Sequence, residues 1–195
     1  MHAGIRALIL AGLAWLFAPL PLHAGEFEHN WLEVGYASLE SDDARRASGA
    51  SGRINLELPE DHWLVLEHDQ LSRSVDGDTL SSGHDYSRFA VGAGHYATDE
   101  GMWIMELGMA RSSDELLGTD YGLSAGAGIR TRISPRFELG GGLYWSGVAR
   151  HDPDEDESFL RVHGILDVTD RVALSGLYEH LDDGFQWRVG LRAGF

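Results

Sequence analysis

Between Trp31 and Phe195, apolar side chains recur at every second position in ten stretches, with polar or very small residues between them. An extended backbone sends successive side chains to opposite faces, so this period of two predicts strands. The last stretch shows it most clearly. Phe185, Trp187, Val189, Leu191, Ala193 and Phe195 share one face; Gln186, Arg188, Gly190, Arg192 and Gly194 share the other. Earlier stretches are predicted at about residues 29–39, 49–58, 63–73, 86–96, 102–111, 120–132, 137–148, 158–168 and 171–181. Only the third is ambiguous. Placing Leu64 and Leu66 on the apolar face sends Glu67 and Asp69 to the polar one, and the opposite register would put both acids among apolar neighbours.

The connections alternate in length. Those at 59–62, 98–101, 133–136 and 169–170 are short, those at 40–48, 74–85, 112–119 and 149–157 are longer and more polar, and 182–184 breaks the pattern. This predicts an all-β fold, a closed antiparallel up-and-down transmembrane barrel of ten strands, or eight if two weaker stretches are loop. An even number of strands closes such a sheet without an edge, which a bilayer requires.

The polar faces then form a lumen. They carry the arginines Arg53, Arg88, Arg130, Arg132, Arg161, Arg188 and Arg192, and the acids Glu33, Glu57, Glu67, Asp69, Glu106, Glu138, Asp167 and Glu179. Seven cations against eight acids is nearly neutral, whereas the charge left to loops and turns is strongly acidic. Inward glycines are expected to leave room for long arginines to cross a narrow bore, where paired charges can satisfy one another. His163 is expected within that network.

Residues 1–24 have the plan of a secretory signal: Arg6, an apolar run from Ala7 to Ala18, and small residues ending at Ala24. The run is too short to cross a bilayer as a helix, which takes about 20 residues. Residues 25–195 would be the barrel domain. Removing Arg6 takes the net charge from −16 to −17, which makes nucleic acid an improbable partner. Cysteine and lysine are absent, so neither a disulfide scaffold nor Schiff-base chemistry is available. A mean hydropathy of −0.21 does not argue against the membrane, because a spanning strand needs apolar residues only at alternate positions.

Aromatic residues complete the pattern. Phe27, Trp63, Trp103, Phe137 and Phe195 are expected near the short-turn end, and Tyr36, Tyr121, Trp145, Tyr178, Phe185 and Trp187 near the other, as two interfacial girdles. The final strand with its terminal Phe195 resembles the last strand of Gram-negative outer-membrane barrels, whose terminal Phe is the family's cue to the barrel-assembly machinery. Residues 25–195 as a whole resemble the small OmpX/OmpA-transmembrane and opacity-protein group. That resemblance implies an outer-membrane location, contact with lipid and lipopolysaccharide, and no catalytic signature.

Candidate chemistry is sparse. The loop Asp152, Asp154, Glu155, Asp156 and Glu157 could take Ca²⁺ or Mg²⁺, although a solvated acidic loop is the simpler reading. Asp76, Asp78, His151 and Asp152 resemble the acid and histidine set of the omptin proteases in residue type, without the Asp-x-His spacing. Ser82-Gly83-His84 reverses the His-x-Ser order of the lipid A deacylase barrels. No cofactor or transition-metal spacing is present. The expected function is a non-enzymatic outer-membrane barrel with a charge-filled lumen, serving envelope integrity or surface interaction. The alternatives are a narrow anion-preferring channel, a surface hydrolase and a soluble periplasmic barrel of lipocalin type.

Overall fold

The computed structural model describes residues 30–41, 46–74, 81–115, 117–150 and 154–195. Ten strands follow in chain order: β1 Trp31–Ser41, β2 Arg46–Leu58, β3 His62–Ser74, β4 Ser81–Thr98, β5 Gly101–Asp114, β6 Gly118–Ser134, β7 Phe137–Ser146, β8 Glu157–Asp167, β9 Val172–Leu181 and β10 Gly184–Gly194. Each pairs antiparallel with its neighbours in sequence. β1 closes on β10 from Trp31 opposite Gly194 to Ser41 opposite Gly184, so no edge remains. The fold is an up-and-down barrel of ten strands, and the third stretch takes the register that sends Glu67 and Asp69 inward.

The two faces are inverted relative to a water-soluble protein. Leu32, Val34, Phe89, Trp103, Met109, Leu143, Leu160, Val189 and Leu191 stand exposed on the outside, while Glu67, Arg88, Glu106, Arg161, Glu179 and Arg188 are buried inside. Soluble monomers rarely expose a continuous apolar band of this extent, but a lipid-facing surface must. The outward charges Glu40, Arg46, Asp85 and Arg111 all lie towards the long-loop end of their strands.

Three expectations are corrected. The stretches 74–85 and 112–119 are not wholly loop: β4 begins at Ser81, β5 runs to Asp114 and β6 begins at Gly118, whose φ of +102° ends a tight turn. β4 and β6 reach 18 and 17 residues, against 10 for β7 and β9. Above the apolar band these hairpins pair Gln70 with Asp85, Asp85 with Ser113 and Ser113 with Thr119. The outward residues there are polar, and so are the buried inward ones His84, Ser112 and Asp114, so the apolar–polar alternation that marks a strand in lipid disappears while the backbone pairing continues. Second, Trp63 does not belong to an outer girdle. It lies inside the barrel, 3% exposed, on the same face as Glu67. Third, the inward glycines make room for rings rather than arginines. A Cβ on Gly92 would meet the Trp63 indole, one on Gly126 the Tyr144 ring, and one on Gly140 the His163 imidazole.

Other girdle residues take their expected faces. Tyr36 lies against Trp187 with ring centroids 5.6 Å apart, and Tyr178 against Phe185 at 6.0 Å, on the outside of β1, β10 and β9. Phe27 lies outside the described residues.

Candidate functional site

Strand alternation delivers the inward charges at three heights. At the short-turn end, Arg192 donates from Nη2 to Glu33 Oε2 at 3.0 Å and lies 3.7 Å above the Trp31 ring, with Arg53 over the same ring at 5.3 Å. On the opposite wall Arg130 grips Glu138 with two parallel contacts, Nε to Oε1 at 2.7 Å and Nη2 to Oε2 at 2.9 Å. His163 Nε2 stands 3.5 Å from Glu138 Oε1. Arg132 sits on the wall of the mouth below. Glu57 is inward by parity but exposed at the rim, where its backbone N–H donates to the Asn30 side chain at 2.8 Å; it takes no part in the lumen network.

In the middle Glu67, Glu106 and Glu179 each meet more than one cation, and Asp69 meets one. Glu67 bonds to Arg188 and lies 3.6 Å from Arg161 and 3.9 Å from Arg88. Glu106 accepts from Arg88 at 2.6 Å and from the Trp63 indole N–H at 3.4 Å, with Arg53 at 3.7 Å. Glu179 holds Arg161 at 2.6 Å and Arg188 at 3.2 Å. Asp69 takes Arg188 at 3.1 Å and the Gln186 amide at 2.9 Å. The Arg161 guanidinium also lies over Tyr144, 4.6 Å from the ring centroid, and Tyr144 stacks on Phe159 at 5.5 Å.

The upper level contains a residue that alternation did not reveal. After β7 the chain turns inward, and Val148, Ala149 and Arg150 are all fully buried. Arg150 donates to Glu157 at 2.9 Å and to Glu179 at 3.2 Å, with its guanidinium 4.5 Å from the Tyr86 ring and 4.4 Å from that of Phe159. Burial alone would weaken this cation, but Glu179, Tyr86 and Glu157 hold its pKa above the ordinary arginine range. Arg150 lies in an irregular segment where period-two reading has nothing to count. Glu157 was legible, since extending the β8 register backwards from Arg161 through Phe159 places it inside.

Across the middle and upper levels, five arginines (Arg53, Arg88, Arg150, Arg161 and Arg188) meet five carboxylates (Glu67, Asp69, Glu106, Glu157 and Glu179). The set is neutral, and each charge has a partner close enough to offset its desolvation. Free space falls accordingly, from a cavity of about 380 Å³ at the short-turn mouth to about 40 Å³ in the lumen beyond it. The second volume has room for about one water molecule at ~30 Å³ each.

The acidic loop takes a different form from a cation site. Glu157 points into the barrel to Arg150, Asp156 accepts from the Trp145 indole N–H at 3.2 Å, and Asp154 and Glu155 are exposed. Asp152 lies outside the described residues, and among those residues no three acids or histidines gather as metal ligands. Asp76, Asp78 and His151 are also outside them. His84 is buried beside Asp114, with Nδ1 3.8 Å from the carboxylate. Phe195 ends the chain with its side chain exposed and its N–H donating to the Asn30 carbonyl at 3.2 Å.

No protein-family model matches the chain, and no curated protein matches it in sequence. Among solved structures it is similar to the NanC porin, with a TM-score of 0.53 and 12% identity over 84% of this chain and 100% of that one. Two others align with lower TM-scores. A KdgM porin in complex with disordered oligogalacturonate gives 0.47 at 10% identity, covering 84% of this chain and 99% of that one. Ail, the attachment invasion locus protein of Yersinia pestis, in complex with the heparin analogue sucrose octasulfate, gives 0.42 at 15% identity, covering 87% and 100%. At these identities the likeness concerns architecture alone: the chain has the fold of a small outer-membrane β-barrel, with ten strands and a lumen filled by its own charges.

Proposed function

We propose that this protein is a non-enzymatic barrel of the Gram-negative outer membrane, exported by residues 1–24, whose lumen is closed to solutes. Its role is in envelope integrity or surface interaction. One observation carries the reading: an apolar exterior surrounds a neutral set of five arginines and five carboxylates, stoppered at the long-loop end by Arg150. Such an exterior needs hydrocarbon around it, and such an interior leaves no continuous water path. In this reading the acidic loops face outwards, where lipopolysaccharide and divalent cations are the partners of matching chemistry. Phe195 serves as the signal to the barrel-assembly machinery.

Two measurements test it. Outer-membrane fractions run unboiled and boiled on a detergent gel should show a band that shifts on heating. The purified barrel in a planar bilayer should show no steady conductance. A chain recovered in the soluble periplasm would overturn the membrane assignment. A stable anion-selective current would instead favour the channel reading, which has the arginine-lined mouth in its support but requires the Arg150–Glu157–Glu179 contacts to part.

A further inference from the structure

We propose that the wide mouth at the short-turn end is a blind binding site for a small oxyanion, a solute bearing phosphate or carboxylate groups. The cavity there measures about 380 Å³, within the range of small-molecule sites. Five arginines line it: Arg130, Arg132, Arg136, Arg171 and Arg192. Only three acids do so: Glu138, Asp167 and Asp170. A third of the arginines of a chain with net charge −16 therefore converge on one concavity. With Glu33, which already holds Arg192, five cations face four acids there, an excess of one positive charge. Glu138 is already engaged by Arg130, so it cannot also neutralise the remaining cations.

Arg136 and Arg171 stand out. They occupy two different turns, after β6 and after β8, and neither guanidinium has an ion-pair partner among the described residues. The backbone fixes both turns to the same rim. The Arg136 carbonyl accepts from Asp167 N–H at 2.9 Å, and the Arg171 carbonyl accepts from Gly194 N–H at 2.8 Å. Thr169 Oγ1 braces the second turn by accepting from the N–H groups of Arg171 at 3.3 Å and Val172 at 3.0 Å. Two cations are thus held on a fixed rim over a cavity whose deeper wall carries Arg130 and Arg192. Guanidinium forks suit phosphate and carboxylate oxygens. Above them the lumen narrows to about 40 Å³, so a bound anion has no onward path.

That the solute arrives from the periplasm rests on the outer-membrane orientation proposed above; the cavity does not depend on it. The test is isothermal titration of the refolded full-length chain in detergent micelles at low salt, with inorganic phosphate in one series and citrate in the other. Saturable binding of at least one probe is expected, with the preferred probe assigning phosphate or carboxylate chemistry. R136Q/R171Q should weaken it about tenfold or more, since both rim contacts are charge-assisted. R46Q/R111Q makes the same charge change on the outer wall at the opposite end and should leave affinity unchanged. An unboiled gel verifies that each variant is folded. Absence of saturable binding to both probes overturns the proposal, as does equal weakening by the two double variants. Failure here leaves the heat-shift and fractionation results standing, so the two readings are separable.

Discussion

Arg150 reaches Glu179 at 3.2 Å from a segment outside any strand, twenty-nine residues away along the chain. The contact turns a loop residue into the stopper of the lumen, because the same guanidinium also binds Glu157 and covers Tyr86 and Phe159. It motivates the first prediction. R150A should destabilise the barrel by about 3–5 kcal/mol, since it removes the cation that faces two buried carboxylates, Glu157 and Glu179. R150M/E157Q, which removes both charges, should recover a large part of that loss. Urea unfolding in lipid vesicles, followed by tryptophan fluorescence, measures the difference. By contrast E57A, at the exposed rim, should change stability by no more than about 0.5 kcal/mol.

Arg188 and Val189 are neighbours with opposite surroundings, one buried among Glu67, Asp69 and Glu179 and the other 53% exposed on the outside wall. V189R should cost about 2–4 kcal/mol in a bilayer, the range for arginine on a lipid face near mid-depth. Were that wall in water the change would be nearly neutral, so vesicle unfolding of this single variant tests the inside-out reading.

Two glycines separate space from conformation. A Cβ at Gly126 would run into the Tyr144 ring, whereas one at Gly176 meets nothing within 4 Å. G126A should therefore destabilise by about 1–3 kcal/mol through overpacking. G176A should stabilise by about 0.4–1 kcal/mol by restricting the unfolded chain. Paired heat-shift midpoints on detergent gels distinguish the two signs.

The turn between β2 and β3 holds Glu60 and Asp61 at φ +65° and +57°, a left-handed pair suited to a tight hairpin. Left-handed backbone costs a non-glycine residue roughly 1–2 kcal/mol. E60G should accordingly raise stability by about 1 kcal/mol, read as a later urea midpoint with an unchanged slope.

Period two revealed most of the architecture. Strand number, the inward face of each strand and the ambiguous register at Leu64 and Leu66 all follow from which side chains tolerate hydrocarbon. Glu67 illustrates the point: either it faces inward or an acid meets lipid, and the sequence admits only one affordable answer. Where that pressure ceases the reading fades. β4 to β6 continue past Asp85 and Ser113 with polar residues on both faces, so their upper parts read as loop.

What alternation could not supply is partnership across the bore. It placed Trp63 by its position along the strand, although its face is inward and its indole donates to Glu106. It gave the inward glycines to arginines, although rings fill the space beside Gly92, Gly126 and Gly140. It had no means to see Arg150 fold back into the barrel, or Arg136 and Arg171 gather on one rim. Facing is a local property, set by each residue's choice between lipid and lumen, and one strand is enough to reveal it. Pairing depends on how ten strands close, how wide the resulting bore is and which side-chain volumes compete within it, and those quantities exist only once the barrel has formed.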